Sequence, residues 1–410
     1  MGKRNLWALT GLLFIGLFMA CTDEVEEVQL SPQKIELTVA ERAIVNNQQE
    51  FGVKLLAALY KQENGRSDNL LISPFSVYCA LGMLTNGAEG ETKVELLRVL
   101  GQEDYKAEEL DVFARKMVQG LKTIDSAVVF KTANSIWSDK QVVLKDDFVR
   151  LNKEQYEAEA FRIDFSDPSV VAQINNWCSK HTEGKIPEMI QEVSQDVIAY
   201  LLNAVYFKAR WNEEFMKDQT VGAPFHLENG QTIEVPFMMG DIVSSYNQNE
   251  LFASLSLAYS TGTYHMHVVV PAEQASLSQV VDAIGQPGYL SKQLKWSPRS
   301  VQVSLPRFEV KADYELKEVL RSLGIESAFN MQDAEFGALT DQDFFVSKVK
   351  QSASLKVDEE GSEGAAVTLI AGATSSLFEK AVFKADRPFL FFITENETGV
   401  ILFAGKVGRP

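Results

Sequence analysis

The sequence has few of the side chains that enzymes use most often for catalysis. Its 410 residues include only three cysteines and four histidines. The motifs GxSxG, HExxH, CxxC and GxxxxGK(S/T), which mark serine hydrolases, zinc peptidases, dithiol oxidoreductases and P-loop proteins, are all absent. We therefore predict a protein that is not an enzyme and needs no cofactor. A hydrolase whose site follows none of these motifs is the remaining enzymatic alternative.

The scarce cysteines and histidines also indicate neither a disulfide framework nor a metal site. Cys79 lies in an apolar helical run, which is typical of a small core residue, and Cys178 is distant in sequence. His265 and His267 lie two residues apart on a predicted strand, so they share one face and have a spacing that metal ligands can use. No further cysteine or histidine lies nearby, so we expect packed or solvated histidines and no metal.

Basic residues are in clear deficit. The sequence contains 39 lysines and arginines against 56 aspartates and glutamates, and the formal net charge is -17. No dense basic patch interrupts this balance, so we expect no nucleic-acid partner, no heparin-type cofactor and no binding to anionic membrane surfaces. Ordinary globular composition, with 46% hydrophobic residues, allows one large domain or two smaller ones, and no repeat or internal linker divides the chain.

The N-terminus has the pattern of an export signal. Lys3 and Arg4 precede an apolar run at residues 6–20 that is too short to span a membrane comfortably. The run ends in LFMAC, which resembles the lipobox of bacterial lipoproteins. We predict a signal peptide at residues 1–20, lipidation of Cys21 and an acidic tether at residues 21–43. The exported protein would then be anchored in the outer membrane through its lipid alone and face the surface or the extracellular space; an ordinary cleaved signal is the alternative.

Helical patterns dominate the first half of the chain and strand patterns the second half. Ser73 followed by Pro74 has the chemistry of a helix start, and Gly324 has that of a helix end. Because helices and strands do not alternate regularly, the pattern favours an α+β domain around large, mainly antiparallel sheets. The predicted helices include residues 168–180 and 314–323, and the predicted strands include residues 128–137, 200–207, 389–394 and 400–407.

Five segments, in order, resemble the serpin family. They are NLLISPFSVYCALGMLTNGAEGET (69–92), INNWCSKHTEGKIPEMI (174–190), LLNAVYFKARWNEEF (201–215), VSLPRFEV with YELKEVLRSLGI (303–325), and DRPFLFFITENETGVILFAGKV (386–407). The resemblance covers residues 44–410. It implies a serpin fold, with about nine helices around three mainly antiparallel β-sheets and an exposed reactive-centre loop at about residues 359–380.

The resemblance also implies a function, suicide inhibition of a protease by a monomeric protein. In that mechanism the protease cleaves the loop and becomes acylated, and the N-terminal half of the loop then inserts into the main sheet and distorts the protease. The implied partner is a target protease held in a covalent complex, either a serine protease or a cysteine protease. A non-inhibitory serpin that acts as a binding or structural module is the alternative.

The loop sequence itself is compatible with insertion. An inserted strand buries alternate side chains, and a charge among them would have to be desolvated. With Ser362 as the first inward position, the buried set is uncharged, and the strand sequence from Ser362 to Thr374 is expected to lie outside the sheet before cleavage. Glycine at position 364 replaces the alanine that is more usual in the family. The inward set is Ser362, Gly364, Ala366, Thr368, Ile370 and Gly372, and the predicted hinge residues are Glu359, Gly361, Ser362, Gly364, Ala365 and Ala366.

Two ways of counting give different scissile bonds. The family's spacing from Glu359 places the bond at Ser375-Ser376, with Thr374-Ser375 as a close neighbour. Counting back from the motif DRPF places it near Leu377-Phe378. No lysine or arginine lies between Gly361 and Glu379, which argues against trypsin-like targets and favours elastase-like or subtilisin-like proteases. Leu377 as specificity residue would favour chymotrypsin-like proteases, and a papain-like cysteine protease also fits acyl trapping.

The resemblance assigns supporting roles to six further residues. Two belong to the breach at the top of the main sheet, where Arg307 is expected to pair with Glu359 above Trp211. Four belong to the shutter, a polar cluster under the strands that part. Glutamine stands where the family has a histidine, so this position should not add pH sensitivity. The predicted shutter residues are Ser73, Ser76, Asn203 and Gln351.

Overall fold

The computed structural model describes residues 34–63, 68–103, 107–193, 197–289, 297–362 and 380–410. The predicted signal peptide and Cys21 lie outside these residues, as do Gly364, Ala365 and Ala366 of the hinge and the predicted reactive bond with its alternatives, residues 374–377. Residues 32–410 form one compact unit. Among the described residues, no helix has the length and apolar character needed to cross a membrane.

Eight α-helices lie in the described residues, together with the short 3-10 helices Lys217–Gln219 and Ser327–Phe329. The α-helices are α1 (Val39–Glu63), α2 (Pro74–Thr85), α3 (Gly90–Val99), α4 (Ala107–Thr123), α5 (Asp146–Tyr156), α6 (Val170–His181), α7 (Leu277–Ile284) and α8 (Lys317–Leu323).

Fifteen strands form two hydrogen-bonded networks. The strands are β1 (Asn69–Ile72), β2 (Val129–Asp139), β3 (Glu159–Ile163), β4 (Ala199–Arg210), β5 (Val221–His226), β6 (Thr232–Gln248), β7 (Phe252–Tyr259), β8 (Tyr264–Pro271), β9 (Ser297–Pro306), β10 (Phe308–Glu315), β11 (Lys348–Asp358), β12 (Gly361–Ser362), β13 (Ala381–Lys384), β14 (Phe389–Glu395) and β15 (Ile401–Val407).

The nine-stranded network consists of two parts joined by the long strand β6. The start of β6, residues 232–237, pairs with β5. Residues 237–246 of β6 pair with β9, which in turn pairs with β13, and residues 245–248 pair with β7. From β7 the order continues through β8, β14, β15 and β1. These two parts and the six-stranded sheet make up the three sheets of the predicted fold, and most of the pairings are antiparallel.

The six-stranded sheet has the order β10-β11-β12-β4-β2-β3. Helix α6 lies against its β2–β4 region, where Trp177, Ile174 and Cys178 are buried with Trp137 of β2. Trp137 stacks on Phe161 of β3 with ring centroids 4.0 Å apart. The opposite side of the sheet belongs to the main hydrophobic core, which continues through α2 to the nine-stranded network.

Several predicted boundaries differ from the structure for identifiable reasons. Helix α1 begins at Val39, so the tether cannot extend to residue 43 as predicted. The sequence T-x-x-E forms a capping box there: Thr38 N donates to Glu41 Oε2 at 2.7 Å, and Glu41 N donates to Thr38 Oγ1 at 3.2 Å. Ile35 also packs against the core, in contact with Gly120 of α4.

Helix α8 begins three residues later than predicted. Tyr314 and Glu315 continue strand β10, where they pair with Gln351 and Lys350 of β11. Cross-strand pairing therefore overrides the helical pattern at this end. The predicted end is correct: Gly324 follows the helix with φ of 111°, in the left-handed region that glycine favours.

The scarce cysteines and the histidine pair occupy packed positions. Cys79 and Cys178 are free thiols, both buried, and burial raises the pKa of Cys178 to about 12. His265 and His267 share one face of β8 with ring centroids 6.0 Å apart. His267 Nε2 lies 2.8 Å from Thr394 Oγ1. The described residues contain no cluster of metal-ligating side chains.

Candidate functional site

The hinge enters the six-stranded sheet from the end of β11. After Asp358 the chain turns and comes back as β12, which is antiparallel to both of its neighbours. Ser362 pairs with Val357 of β11 on one side and with Ala209 of β4 on the other. Below this point β11 and β4 pair directly and in parallel over seven residues each. The sheet is thus open at its top by the width of one short strand.

This arrangement corrects the prediction that the loop strand stays outside the sheet from Ser362 onward. Gly361 and Ser362 are already inserted and buried. Ser362 Oγ lies 2.8 Å from the hydroxyl of Tyr259 at the end of β7, so the buried hydroxyl has a partner. Sequence alternation identified the inward position correctly, but it could not reveal that this partner already holds the position.

Only glycine fits at position 361. Gly361 has φ of 140°, a conformation that residues with a side chain rarely adopt. A Cβ atom there would lie 2.3 Å from the carbonyl oxygen of Ala209 and 2.6 Å from Cα of Arg210. The hinge can therefore approach β4 this closely because residue 361 has no side chain.

The predicted ion pair between Glu359 and Arg307 is present at the turn between β11 and β12. Arg307 Nε donates to both carboxylate oxygens of Glu359 at 2.8 and 2.9 Å, and Thr220 Oγ1 donates to the same carboxylate. Glu359 is 2% exposed. Burial alone raises the pKa of this carboxyl, but the hydrogen bonds from Arg307 and Thr220 outweigh it and hold the pKa below its ordinary value. We call Glu359, Arg307 and Thr220 the latch.

A second ion pair at the same turn was not predicted. Lys217 Nζ donates to Glu360, and this hydrogen bond lowers the pKa of the Glu360 carboxyl. Lys217 is largely exposed, with 66% of its side chain accessible, so the pair is screened by water. Neither Lys217 nor Thr220 stands out in the sequence, because both belong to a short irregular segment that becomes part of the site only through the fold.

Trp211 supports the hinge from below, as predicted. Its Nε1 donates to the carbonyl oxygen of Asp358 at 2.9 Å, and its backbone N donates to the carbonyl oxygen of Glu360 at 3.0 Å. The indole stacks on Tyr259 with ring centroids 4.3 Å apart. Phe215 N donates to the carbonyl oxygen of Glu359 at 3.0 Å. The segment from Trp211 to Phe215 therefore holds three consecutive hinge carbonyls.

The predicted shutter residues meet beneath the direct pairing of β11 with β4. Gln351 of β11 and Asn203 of β4 are register partners. Gln351 Nε2 donates to Asn203 Oδ1 at 2.6 Å, and Asn203 Nδ2 donates to Ser76 Oγ and, at 2.7 Å, to Asn134 Oδ1. Ser76 Oγ lies 2.6 Å from Thr132 Oγ1. Asn134 and Thr132 of β2 are members of this buried network that sequence reasoning missed.

Ser73 joins the shutter through its backbone. Its N donates to Gln351 Oε1 at 2.7 Å, and its carbonyl accepts from Gln351 Nε2 at 3.2 Å. Within the described part of the chain, Ser73 Oγ is buried without a hydrogen-bond partner. The amide of Gln351 therefore bonds to the backbone at the N-cap of α2 while it also joins β11 to β4, and it does so without a titratable group.

Replacing Gln351 by histidine should make the stability of the protein pH-dependent. The site is 1% exposed, so burial should depress the pKa of the imidazole. A depressed histidine pKa means that stability is retained above the ordinary value near 6.5 and falls as the pH drops below it. An imidazolium also has no acceptor for Ser73 N. We expect the melting temperature of Gln351→His to fall more than that of the wild type between pH 7.5 and 5.5; parallel profiles would contradict this.

Comparison with known proteins identifies the family. The family described as Serpin (serine protease inhibitor) matches residues 46–410. The chain therefore belongs to the serpin family. Serpins are mostly protease inhibitors rather than catalytic enzymes, and they generally form covalent complexes with their target proteases; some are non-inhibitory, as is thyroxine-binding globulin.

Similar proteins come from several kinds of organism. The chain is 33% identical over 359 residues to an uncharacterized serpin-like protein of Thermococcus kodakarensis, covering 86% of this chain and 83% of that protein. It is 31% identical over 373 residues to the leukocyte elastase inhibitor of Homo sapiens, covering 88% and 97%. Among solved structures, the native thermophilic serpin tengpin has a TM-score of 0.82 at 27% identity, covering 93% and 96%. Thyroxine-binding globulin in complex with thyroxine has a TM-score of 0.80 at 27% identity, covering 90% and 99%.

Proposed function

We propose that this protein is an inhibitory serpin that traps its protease by inserting its reactive-centre loop into the six-stranded sheet. The observation that carries the proposal is the hinge: its first inward residue, Ser362, is already paired on both sides within the sheet. The sequence that follows has no charge at any inward position up to Gly372. Insertion can thus continue from an existing start without burying a charge.

The present register defines where an inserting strand would go. Continuing the pairing of β12 along β4 and β11 brings Thr368 opposite both Asn203 and Gln351. These two side chains are hydrogen-bonded to each other in the present structure. Thr368 would come between these two side chains. Its hydroxyl can both donate and accept, so it could form a hydrogen bond with Asn203 and another with Gln351 in place of the bond that now joins them. Insertion would also exchange one parallel ladder for two antiparallel ladders, which are slightly more stable per residue.

The same register supports the scissile bond counted from the hinge. Continued pairing reaches the first residues of β11 and β4, Lys348 and Ala199, at residues 371 and 372. The sheet then ends three residues before Ser375. A protease acylated by Ser375 would be carried to the far end of the sheet, a distance of about 37 Å for eleven steps of antiparallel strand.

Incubation with an elastase-like protease tests this function directly. We expect a covalent complex that survives SDS and a large rise in melting temperature of the cleaved protein. Mass spectrometry of the released C-terminal fragment should give a peptide that begins at Ser376. A fragment beginning at Phe378 would instead support Leu377 as the specificity residue. Cleavage without a complex and without thermal stabilisation would favour the non-inhibitory alternative.

The uncharged loop supports a target class. Thr374 and Ser375 are small and uncharged, as elastase-like and subtilisin-like proteases prefer. In our proposal the target is therefore a serine protease of one of these two classes. A chymotrypsin-like protease follows if the bond lies at Leu377, and a papain-like cysteine protease is the alternative that acyl trapping through a thioester allows. The rate of covalent complex formation, measured with one elastase-like, one subtilisin-like, one chymotrypsin-like and one papain-like protease, ranks these classes as targets.

We also propose that the protein acts outside the cell as a lipid-anchored monomer. The support is the basic start, the short apolar run and the lipobox-like LFMAC that ends at Cys21. The expected result for Cys21→Ala is loss of fatty-acid labelling and release from the membrane fraction. Labelling that persists in this variant would contradict the assignment.

A further inference from the structure

A cavity of about 200 Å³ lies where strand β6 separates from β7. The two strands pair only from Ser245 and Ser256 to the far end of β6. Beyond Ser256, β7 pairs instead with the segment after β4: Tyr259 bridges to Trp211, and Asn212 N donates to the carbonyl oxygen of Ala258 at 2.9 Å. The cavity occupies the wedge between β6, β7 and this segment, and Val243 at its edge is 67% exposed.

The apolar part of the lining can hold one aromatic ring. It includes Trp211, Phe215, Ile242, Leu257 and Pro298. An apolar cavity of about 150 Å³ in another protein binds benzene. A volume of about 200 Å³ therefore accommodates an aromatic ring with a few more atoms. The cavity is smaller than the pockets that bind most drug-sized ligands.

Two hydroxyls that line the cavity, those of Ser244 and Ser256, are left as hydrogen-bond acceptors. Burial lowers the pKa of His265, so its imidazole is neutral at pH 7. His265 Nε2 lies 3.1 Å from the carbonyl oxygen of Gly262, which can only accept, so Nε2 carries the proton and Nδ1 is the acceptor. Ser256, 2.8 Å from Nδ1, must then donate its hydroxyl proton to the ring. Ser244 likewise donates to the carbonyl oxygen of Ser256. The free lone pairs of both hydroxyl oxygens are left as acceptors for a donor in the cavity.

A negative charge lies at the outer side of the same cavity. Glu213 contributes to the lining, and it is exposed. Among the described residues no cation pairs with its carboxylate, whereas the adjacent Glu214 pairs with Arg210. Ser256, by contrast, is 2% exposed. The cavity thus offers neutral acceptors at its buried end, an aromatic-sized apolar middle and a carboxylate at its solvent end.

We propose that this cavity is a binding site for a small aromatic amine, with a phenol or indole donor directed to Ser256 and an ammonium group directed to Glu213. Such a molecule matches each feature of the lining in size, donor placement and charge. Molecules with acidic groups are disfavoured, because the carboxylate of Glu213 repels them.

Binding at this site would act on the hinge. Trp211 and Phe215, which line the cavity, also donate the backbone hydrogen bonds that hold the carbonyl oxygens of Glu359 and Glu360. A ligand that contacts their side chains therefore stabilises the present arrangement of the hinge relative to arrangements in which this segment moves. This regulatory effect rests on the proposed inhibitory function, whereas the binding itself does not.

Tyramine is the probe that tests the site, with 4-ethylphenol as the matched molecule without the amine. We expect saturable binding of tyramine by calorimetry, and binding of 4-ethylphenol weaker by up to about fivefold, because an ion pair with the exposed carboxylate of Glu213 is lost. Glu213→Gln should reduce the difference between the two probes, Ala258→Leu should abolish binding of both by filling the cavity, and Glu273→Gln, an exposed change elsewhere, should alter neither.

Absence of saturable tyramine binding overturns the proposal, as does binding that Ala258→Leu and Glu213→Gln leave unchanged. Glu213→Gln is an exposed change that should not disturb folding, so it remains informative if Ala258→Leu unfolds. In a second measurement, saturating tyramine should slow formation of the elastase complex at least twofold in the wild type and not in Ala258→Leu. If no protease complex forms at all, the inhibitory function fails while the binding result stands by itself.

Discussion

Ser362→Arg should convert the protein from an inhibitor into a substrate. Ser362 is fully buried between β11 and β4, with its hydroxyl 2.8 Å from that of Tyr259. An arginine here would meet the hydroxyl of Tyr259 and not a carboxylate. Its charge would therefore have to be desolvated, or the hinge would have to leave the sheet. Either outcome delays insertion while the acyl-enzyme hydrolyses. We expect the yield of SDS-stable complex to fall at least tenfold, with the loop still cleaved.

Two matched variants separate the charge from its position. Ser362→Ala keeps a small inward side chain and loses only the bond to Tyr259, so complex formation should be largely retained. Glu363→Arg introduces the same arginine at the next position, which sequence alternation predicts to face outward, and should inhibit nearly as well as the wild type. Equal inhibition by Ser362→Arg and Glu363→Arg would refute the alternation on which the insertion mechanism depends.

Local and repeated signals in the sequence predict the α+β class, whereas the serpin fold was implied by the resemblance of five segments to that family. Apolar periodicity, the helix start at Ser73 and Pro74 and the helix end at Gly324 all correspond to elements of the structure. The predicted bounds of helices and strands were wrong where pairing between distant strands determines the local structure. Tyr314 continues a strand because Gln351 lies opposite, and no local pattern contains that information.

At the candidate site, too, some residues were predicted correctly and others were missed because they depend on contacts between distant segments. Glu359, Arg307 and Trp211, which the resemblance to the family assigned to this place, lie together at the hinge in the structure. Thr220 and Tyr259 were missed, because a threonine or a tyrosine becomes a hinge contact only when distant segments meet. The extent of insertion before cleavage was missed for the same reason: composition can show that a strand is able to enter a sheet, but not how far it has entered.

The contacts at the hinge are compatible with a proposed insertion that has started at Ser362 and stopped there. Ser362 has a partner on each side, but the next residues along this path would have to separate the direct ladder of β11 and β4, which begins at Ser354 and Tyr206. Further down, the bond between Gln351 and Asn203 joins the same two strands. In the mechanism that we propose, insertion would therefore meet a hydrogen-bonded barrier directly below the hinge, and cleavage would allow the loop to cross it.

Arg307→Met should cause the largest loss of stability among changes at the hinge. It leaves the carboxylate of Glu359, which is 2% exposed, with Thr220 as its remaining side-chain donor. Removing one partner of a fully buried pair costs about 3–5 kcal/mol, because an uncompensated charge remains. Arg307 is 43% exposed, so water screens the pair in part and the loss should be smaller than that. Urea denaturation at pH 7.5 measures this loss. Glu359→Gln in the same background removes the orphaned charge and should recover most of it.

The pH dependence gives an independent check of the latch. The pKa of Glu359 is lowered in the folded protein, so its contribution is fully present above the unfolded value near 4.3 and disappears as the pH falls through the folded value. In Arg307→Met this pKa should rise, and the gap in stability between wild type and variant should narrow below about pH 4.5. Lys217→Met removes the neighbouring exposed pair with Glu360 and is the control, for which we expect little change. An equal loss in Lys217→Met and Arg307→Met would show that burial of Glu359 does not determine the strength of the latch.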